Sequence, residues 1–255
     1  MVRVIGIVSG KGGTGKTTVS LNLGAALASR YKKNVTVVDC NVTASHLSLF
    51  LGMYYCPITL NKVLRGEANI EDSLCQHFSG MKIIPASLSL SDLEGIDVTE
   101  LRDKLKEIFS KNDIIILDGS PGLGREAIAT MKASDELLYV TNPYIPFIMD
   151  VIRCQEVVNE IGTKQIGIVL NMVHKKKHEM TKHEIEELTK LPVISTIPFD
   201  INVHKSLSLK TPITMYKPET ETSKELFKLA SKLIGENYKE EGFLSRFLRR
   251  FVEKT

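Results

Sequence analysis

The stretch VSGKGGTGKTT, Val8–Thr18, decides the fold of this 255-residue chain. It contains the pattern G-x-x-x-x-G-K-[ST] and directly follows a short apolar run that begins at Val4. Glycines allow such a loop to turn its backbone N–H groups toward a phosphate, and the N-terminus of the following helix adds its positive dipole. The stretch therefore predicts a phosphate-binding loop between a first strand and a first helix.

The residue types of this loop predict how it binds the phosphates of a nucleotide. The Lys16 ammonium is expected to pair with oxygens of the β- and γ-phosphates, and the Thr17 hydroxyl is expected to ligate Mg²⁺. A glycine-rich turn without a ligand is the alternative, but the position of the motif after the first apolar run favours the phosphate loop. The residues predicted to form this nucleotide-binding loop are Gly10, Lys11, Gly12, Gly13, Thr14, Gly15, Lys16, Thr17 and Thr18.

Short β-branched apolar runs alternate along the chain with segments in which apolar residues have helical spacing. The predicted strands are Val4–Val8, Asn34–Val38, Met81–Ile84, Asp113–Leu117, Glu136–Val140, Gln165–Leu170 and Leu191–Ile197. The predicted helices are Thr18–Arg30, Thr99–Phe109, Arg125–Lys132, Phe147–Ile161 and Thr181–Thr189. Runs that are apolar on both sides are typical of parallel strands covered by helices on both faces. The pattern predicts a doubly wound, mostly parallel α/β sheet in one domain, residues 1–236.

Composition narrows the class of protein further. The net charge of +3 gives no argument for nucleic-acid binding from bulk electrostatics. The four cysteines form no C-x-x-C pair and predict neither a disulfide framework nor a metal site. No apolar run reaches the length of about 20 residues that a transmembrane helix needs.

A second lysine, Lys11, stands in the loop although phosphate binding needs only one. The string K-G-G-x-G-K-T-T resembles the deviant Walker A loop of the MinD/ParA family of ATPases, and archaeal MinD-like proteins in particular, and the resemblance extends over about residues 1–235. It implies a P-loop NTPase fold of the SIMIBI type, ATP and Mg²⁺ as cofactors, and a homodimer in the ATP-bound state. In that family the early lysine crosses the dimer to the partner's phosphates. The resemblance therefore implies that Lys11 and Lys16 are catalytic, with Lys11 neutralising transition-state charge as an arginine finger does.

Three further motifs support the resemblance because each stands at the end of a predicted strand. Asp118 ends the apolar run of IIILDGSPGLG and resembles the Walker B aspartate, which would hold Mg²⁺ through water. The stretch VLNMV places Asn171 where the family hydrogen-bonds the adenine edge. The stretch IPFD places Pro198 and Asp200 in the loop that closes over the base.

The sequence departs from the family pattern after the second predicted strand. The stretch VVDCN has Asp39 and then Asn41, where the family usually carries D-x-D and uses the second carboxylate to position or activate the attacking water. An amide orients a water but does not accept its proton, and general-base assistance contributes about 10²–10⁴ in rate. Asp39 and Asn41 are therefore predicted to be catalytic, with slow hydrolysis. The alternative is that Asn41 is tolerated because Asp39 or the two lysines dominate the rate.

The final stretch, residues 240–255, reads EEGFLSRFLRRFVEKT and has an amphipathic pattern. Its apolar side chains and its arginines fall on opposite halves of a helical projection, which is typical of a helix that lies in a membrane interface. MinD-like proteins end in a similar basic segment, so the resemblance favours the membrane over docking on the chain's own domain. Residues 237–255 are predicted to be a linker and a membrane-targeting helix. The predicted contacts with an anionic surface are Phe243, Leu244, Arg246, Phe247, Leu248, Arg249, Arg250 and Phe251.

These features predict a slow ATPase that acts as a switch of the MinD type. It is expected in the cytoplasm and on the inner face of the cell membrane, where it would position cell-division or other machinery through an unidentified protein partner. No sequence-specific nucleic acid is expected. The alternatives are a ParA-like ATPase that segregates DNA or cargo and a hydrolysis-deficient, nucleotide-bound scaffold. An iron–sulfur carrier of the Mrp type is disfavoured because such carriers use a C-x-x-C pair.

Overall fold

The computed structural model describes residues 2–239, with Leu90 described by its backbone alone. The strands in this range are β1 Arg3–Val8, β2 Val35–Asp39, β3 Cys75–Gln76, β4 Lys82–Ile84, β5 Ile114–Asp118, β6 Glu136–Thr141, β7 Lys164–Val173 and β8 Val193–Pro198. The α-helices are α1 Lys16–Ser29, α2 Leu47–Phe50, α3 Leu60–Leu64, α4 Leu101–Lys106, α5 Arg125–Ala133, α6 Ile145–Ile161, α7 Lys182–Thr189, α8 Ile201–Ser208, α9 Ile213–Tyr216 and α10 Glu221–Leu233.

These strands form one sheet in the order β3-β4-β2-β5-β1-β6-β7-β8. Neighbouring strands are parallel, except that β3 is antiparallel to β4. The chain first winds outward from β1 through β2 and then returns past β1 to continue on its other side. Ligands of doubly wound folds bind at the carboxyl edge of the strands, where the winding reverses. This topology therefore places the candidate site at the carboxyl ends of β1, β2 and β5.

Helices cover both faces of the sheet because its central strands are apolar on both sides. Ile5 and Ile7 of β1 lie in a core with α1 and α10, whereas Val4 lies in a second core with α3, α4 and α5. A third core lies beneath α6 and α7 and contains Tyr139 and Ile148. The prediction of a doubly wound, mostly parallel sheet with helices on both faces is confirmed.

The seven predicted strands are all present, but the prediction was incomplete elsewhere. β7 continues to Val173, beyond its predicted end at Leu170, and β3 is too short to give any periodic pattern. The predicted helix Thr99–Phe109 is wrong in extent, because only Leu101–Lys106 is α-helical and tighter 3₁₀ turns flank it on both sides.

Helix α10 was missed altogether, although its sequence carries a readable signal. The Thr220 hydroxyl caps the helix by accepting a hydrogen bond from the Ser223 N–H. Leu226, Ala230 and Leu233 recur at helical spacing and are buried. The helix packs against α1 and β8, so it closes one face of the sheet.

The segment after α10 packs beside the C-terminal end of α1. The Arg30 guanidinium lies 4.7 Å from the centre of the Phe227 ring and 5.2 Å from that of Tyr238. Lys33 Nζ is 3.1 Å from the Glu236 carboxylate. The first residues of the predicted linker therefore pack on the domain, at the sheet edge opposite the carboxyl ends of the strands. The predicted amphipathic helix, residues 240–255, lies outside the described residues.

Within residues 2–239, none of the helices combines the length and the apolar character needed to cross a membrane.

Candidate functional site

The loop between β1 and α1 has the backbone that its glycines predict. Gly13 and Gly15 have φ angles of 83° and 84°, in the left-handed region that side chains with a Cβ disfavour. A Cβ on Gly15 would also lie 2.2 Å from Nδ2 of Asn171, which donates a hydrogen bond to the Thr14 carbonyl at 2.8 Å. The loop is therefore tied to the end of β7, and only glycine fits at position 15.

The Lys16 ammonium and Asp118 form the buried centre of the site. Lys16 Nζ lies 4.0 Å from Asp118 Oδ1, and both side chains are almost fully buried. Thr17 Oγ1 donates to Asp118 Oδ2 at 2.6 Å, and Ser20 Oγ donates to Asp118 Oδ1 at 2.8 Å. Since Thr17 and Ser20 lie one helical turn apart on α1, the first turn of this helix holds the carboxylate at the end of β5.

Asp39 stands directly beside Asp118, because β2 and β5 pair in register at these two residues. Burial, together with the neighbouring Asp118 carboxylate, raises the pKa of Asp39 to about 7. The Ser45 hydroxyl donates to Asp39 Oδ2 at 2.7 Å, and the Asn41 N–H donates to Oδ1 at 3.1 Å. The carboxyl groups of Asp39 and Asp118 thus lie together in a buried place with the Lys16 ammonium. A cation bound there would relieve the repulsion between the two carboxyl groups.

The residues present fit a triphosphate with Mg²⁺. The Thr14 hydroxyl is buried and has no hydrogen-bond partner, and an oxygen of a phosphate bound in the loop would supply an acceptor for its hydrogen bond. Thr17 and Asp118 supply the hydroxyl and the carboxylate that Mg²⁺ takes alongside waters and phosphate oxygens. Bound there, Mg²⁺ would neutralise charge on the phosphates. No set of three or more His, Cys, Asp or Glu that could form an all-protein metal cage occurs in the described part of the chain.

Lys11 is placed quite differently from Lys16. Its side chain is exposed, and its Nζ lies 5.4 Å from the centre of the Phe147 ring on α6. Gly10 allows this approach, because a Cβ there would lie 2.5 Å from atoms of Asp150 in the same helix. Three exposed apolar side chains follow the carboxyl ends of β5 and β6, and these are Leu123, Ile145 and Met149, which are 37%, 63% and 43% accessible. We call Lys11 and these three residues the Lys11 face.

A groove opens beside the first turn of α1. The structure brings the predicted residues Thr18, Asn171, Pro198 and Asp200 together in its lining. Asp200 also caps α8 by accepting the Asn202 N–H at 2.8 Å, so its carboxylate holds the loop after β8 in place. The lining is largely apolar, and Asn171 links the groove to the phosphate loop through its hydrogen bond to the Thr14 carbonyl.

Asn41 lies in the loop that follows Asp39. Its Nδ2 donates to the Ala44 carbonyl at 2.7 Å, and its Oδ1 lies 2.9 Å from Oγ of Ser120. The amide is therefore fixed in orientation and turns its oxygen toward the segment that follows β5.

Sequence reasoning missed several residues that hold this site. Helical spacing alone would have placed Ser20 on the same face of α1 as Thr17. Three other groups reach the site only because of the course that the loops follow, and no periodic pattern reveals that course. They are the hydroxyls of Ser45 and Ser120 and the carboxylate of Glu126. Phe199 and His204 line the groove and were also missed.

A glycine loop that leads into a helix, with a buried lysine and a threonine facing a strand-end aspartate, defines a nucleotide-binding protein of the P-loop class. The chain belongs to the CobQ/CobB/MinD/ParA nucleotide-binding domain family, whose model matches residues 5–213. The resemblance inferred from the loop is thereby confirmed.

Individual relatives support the same family. An uncharacterized ATP-binding protein of Methanocaldococcus jannaschii is 35% identical over 255 residues, which cover 98% of this chain and 96% of the relative. The structure of the cell division ATPase MinD of Pyrococcus furiosus superimposes with a TM-score of 0.88 at 34% identity, covering 92% of this chain and 99% of that one. The septum site-determining protein MinD of Pyrococcus horikoshii, complexed with Mg-ADP, gives a TM-score of 0.87 at 32% identity, covering 91% and 96%.

Proposed function

We propose that this protein is an ATP-dependent switch ATPase that dimerises on binding ATP and then attaches to a membrane, where it positions cell-division or other machinery. The observation that carries this proposal is the opposite placement of two lysines in one loop. Lys16 is buried against Asp118, as a lysine that serves its own nucleotide must be, whereas Lys11 is exposed beside apolar side chains. Lys11 is thus free to serve a nucleotide held by a second subunit.

In the proposed complex, the phosphates of ATP bind in the loop and its base binds in the groove. Lys16, Thr14 and the loop N–H groups bind the phosphates, and Thr17 and Asp118 hold Mg²⁺. Asn171 would exchange its hydrogen bond with the Thr14 carbonyl for one with the adenine edge. The Mg-ADP complex of the Pyrococcus horikoshii relative supports this assignment of cofactors.

The Lys11 face is the proposed dimer interface. Exposed apolar side chains beside an exposed lysine suit a surface that a second copy covers, with each Lys11 directed at the partner's phosphates. Such a lysine neutralises charge that develops during phosphoryl transfer, so the dimer would be the form that hydrolyses ATP.

Hydrolysis is proposed to be slow because Asn41 stands where the family usually has a carboxylate. The amide oxygen can accept a hydrogen bond from the attacking water but cannot take its proton. A hydrolysis-deficient, nucleotide-bound scaffold differs from this proposal only in turnover.

Membrane attachment is assigned to residues 240–255. Each basic residue near an anionic leaflet contributes about 1 kcal/mol, so one short helix binds marginally. Two helices on one dimer gain avidity of about 10²–10⁴ without any new contact. ATP would therefore control membrane attachment by determining whether a complex carries one tail or two. The cargo would be cell-division or other machinery, bound through an unidentified protein partner.

The experiment that tests this function is co-sedimentation with anionic liposomes in the presence of ATP, ADP or no nucleotide. We expect sedimentation with ATP and much weaker sedimentation in the other two conditions. Truncation after Glu241 should abolish it. Equal sedimentation of the truncated chain would refute membrane attachment through the tail, and salt-dependent retention on DNA instead would favour the ParA-like alternative.

A further inference from the structure

A cluster of three oxygen-bearing side chains lies beside the phosphate loop, and two of its members have no role in the function proposed above. It consists of Asn41 after β2, Ser120 after β5 and Glu126 in the first turn of α5, and we call it the Asn41 cluster. Ser120 Oγ lies 2.9 Å from Asn41 Oδ1 and also hydrogen-bonds to Glu126 Oε2. A carboxylate is therefore linked to Asn41 through one hydroxyl group.

The cluster has more hydrogen-bond acceptors than donors. The Asn41 amide nitrogen donates to the Ala44 carbonyl, so its oxygen is the atom that faces Ser120. Ser120 has a single hydroxyl proton, yet it stands between two acceptors, Asn41 Oδ1 and the Glu126 carboxylate. A molecule that brings two further O–H donors, as water does, suits this arrangement.

The Asn41 cluster lies close to the phosphate loop and to the Asp39–Asp118 pair. The Gly122 N–H donates to the Ser9 carbonyl at 2.9 Å, and the Cys40 N–H donates to the Asp118 carbonyl at 3.0 Å. The segments that carry Asn41 and Ser120 are thereby fastened to the phosphate loop and to the carboxylate pair. The cluster lies on the side of the loop that carries Asp39 and Asp118, away from the groove proposed for the base.

We propose that Glu126, acting through Ser120, replaces the water-activating carboxylate that position 41 lacks. Asn41 Oδ1 orients the water, whose oxygen attacks the γ-phosphorus while the bond to the β–γ bridging oxygen breaks and its electron pair leaves with ADP. The water gives a proton to Ser120 Oγ, and the Ser120 hydroxyl proton passes to Glu126 Oε2. Glu126 is thus a positioning and proton-accepting residue rather than one that touches the substrate. This inference depends on the ATPase activity proposed above.

The position of Glu126 in its helix suits the role of a carboxylate. It lies in the first turn of α5, where the positive end of the helix stabilises a carboxylate. A purely structural role, in which the Ser120–Glu126 bond only fixes the loop, is the competing explanation. The two roles differ in how substitution of Glu126 combines with substitution of Asn41.

A double-mutant cycle measures this difference by single-turnover ATP hydrolysis in the full chain. We expect Glu126→Gln to lower the rate about 10–100-fold and Asn41→Asp to raise it. In the Asn41→Asp background, Glu126→Gln should change the rate less than about threefold, because the restored carboxylate takes the proton directly. Ser120→Ala should resemble Glu126→Gln, whereas Ser120→Thr, which keeps the hydroxyl, should retain most of the rate.

Two controls accompany the cycle. Glu187→Gln removes an exposed glutamate of α7 and should leave the rate unchanged. Thermal unfolding and titration with a fluorescent ATP analogue should show that every variant folds and binds nucleotide.

The outcomes separate this inference from the proposed function. A Glu126→Gln rate within twofold of the unsubstituted protein, or an equal loss in both backgrounds, overturns the relay alone. An unsubstituted protein that binds ATP, dimerises and never hydrolyses it overturns the ATPase activity, and the relay with it.

Discussion

At the scale of single residues, the most consequential feature is the pair of buried carboxyl groups at the ends of β2 and β5. Asp39 is held among donors from Ser45, Asn41 and Leu47, yet burial and the adjacent Asp118 make its charge unfavourable in the folded protein. The unfolded chain has no such penalty. Between the ordinary pKa of an aspartate and about 7, the folded protein therefore binds a proton that the unfolded chain has lost.

Because the folded protein binds this proton and the unfolded chain does not, the free energy of unfolding of the nucleotide-free protein falls as the pH rises through that range. We expect the free energy of unfolding of Asp39→Asn, taken relative to the unsubstituted protein, to increase from pH 5 toward pH 7 by at most about 1.4 kcal/mol per pH unit. It should then level off by pH 8. Urea unfolding at each pH measures it.

The control is Asp103→Asn, since Asp103 is exposed and its hydrogen bond from Lys106 lowers its pKa instead. Its relative stability should not change between pH 5 and pH 8. A flat profile for Asp39→Asn would show that Asp39 is charged throughout.

Gly15 gives a second prediction at this scale. Gly15→Ala should destabilise the protein by about 1–3 kcal/mol, because the residue has a positive φ and its Cβ would collide with Asn171. Gly12→Ala is the matched control, since a Cβ at Gly12 meets nothing within 4 Å. Thermal unfolding without nucleotide compares the two, and equal melting temperatures would contradict the role assigned to Gly15.

At the scale of elements, the start of α6 connects the phosphate loop to the molecular surface. Phe147 in its first turns lies beneath the Lys11 ammonium, and Ile145 and Met149 stand exposed on either side of Phe147 in the sequence. A helix end that leaves apolar side chains uncovered next to a functional cation is typical of a surface completed by another molecule.

Ile145→Asp should therefore prevent ATP-dependent dimerisation without unfolding the protein. Leu188→Asp is the matched control, because Leu188 is also an exposed apolar residue, at 50% accessibility, but lies near the end of α7. Size-exclusion chromatography with light scattering in ATP distinguishes the two variants. Dimers of Ile145→Asp would place the interface elsewhere.

The elements also show how far the sequence could predict this protein. The strands and the loop follow from local signals, since two-sided apolar runs and a glycine pattern each encode one element. α10 carries an equally local signal in the Thr220 cap and its buried apolar residues. By contrast, the contact of Ser120 with Asn41 depends on where two loops run, and no local pattern encodes it.

At the scale of the whole molecule, the two ends of the sheet have separate roles. The nucleotide site and the Lys11 face lie at the carboxyl edge, while Lys239 is reached beside the C-terminus of α1 at the opposite edge. A dimer formed at the carboxyl edge would thus contain two chains whose residues after Lys239 begin at the opposite edge. The central claim is that ATP joins two copies through Lys11.

Sedimentation equilibrium of the full chain with a non-hydrolysable ATP analogue tests that claim most directly. We expect a dimer with the analogue, a monomer with ADP, and a monomer in both conditions for Lys11→Ala, which should still bind nucleotide through Lys16. A protein that stays monomeric with the analogue at every concentration, or a Lys11→Ala variant that dimerises as strongly as the unsubstituted chain, would contradict the account.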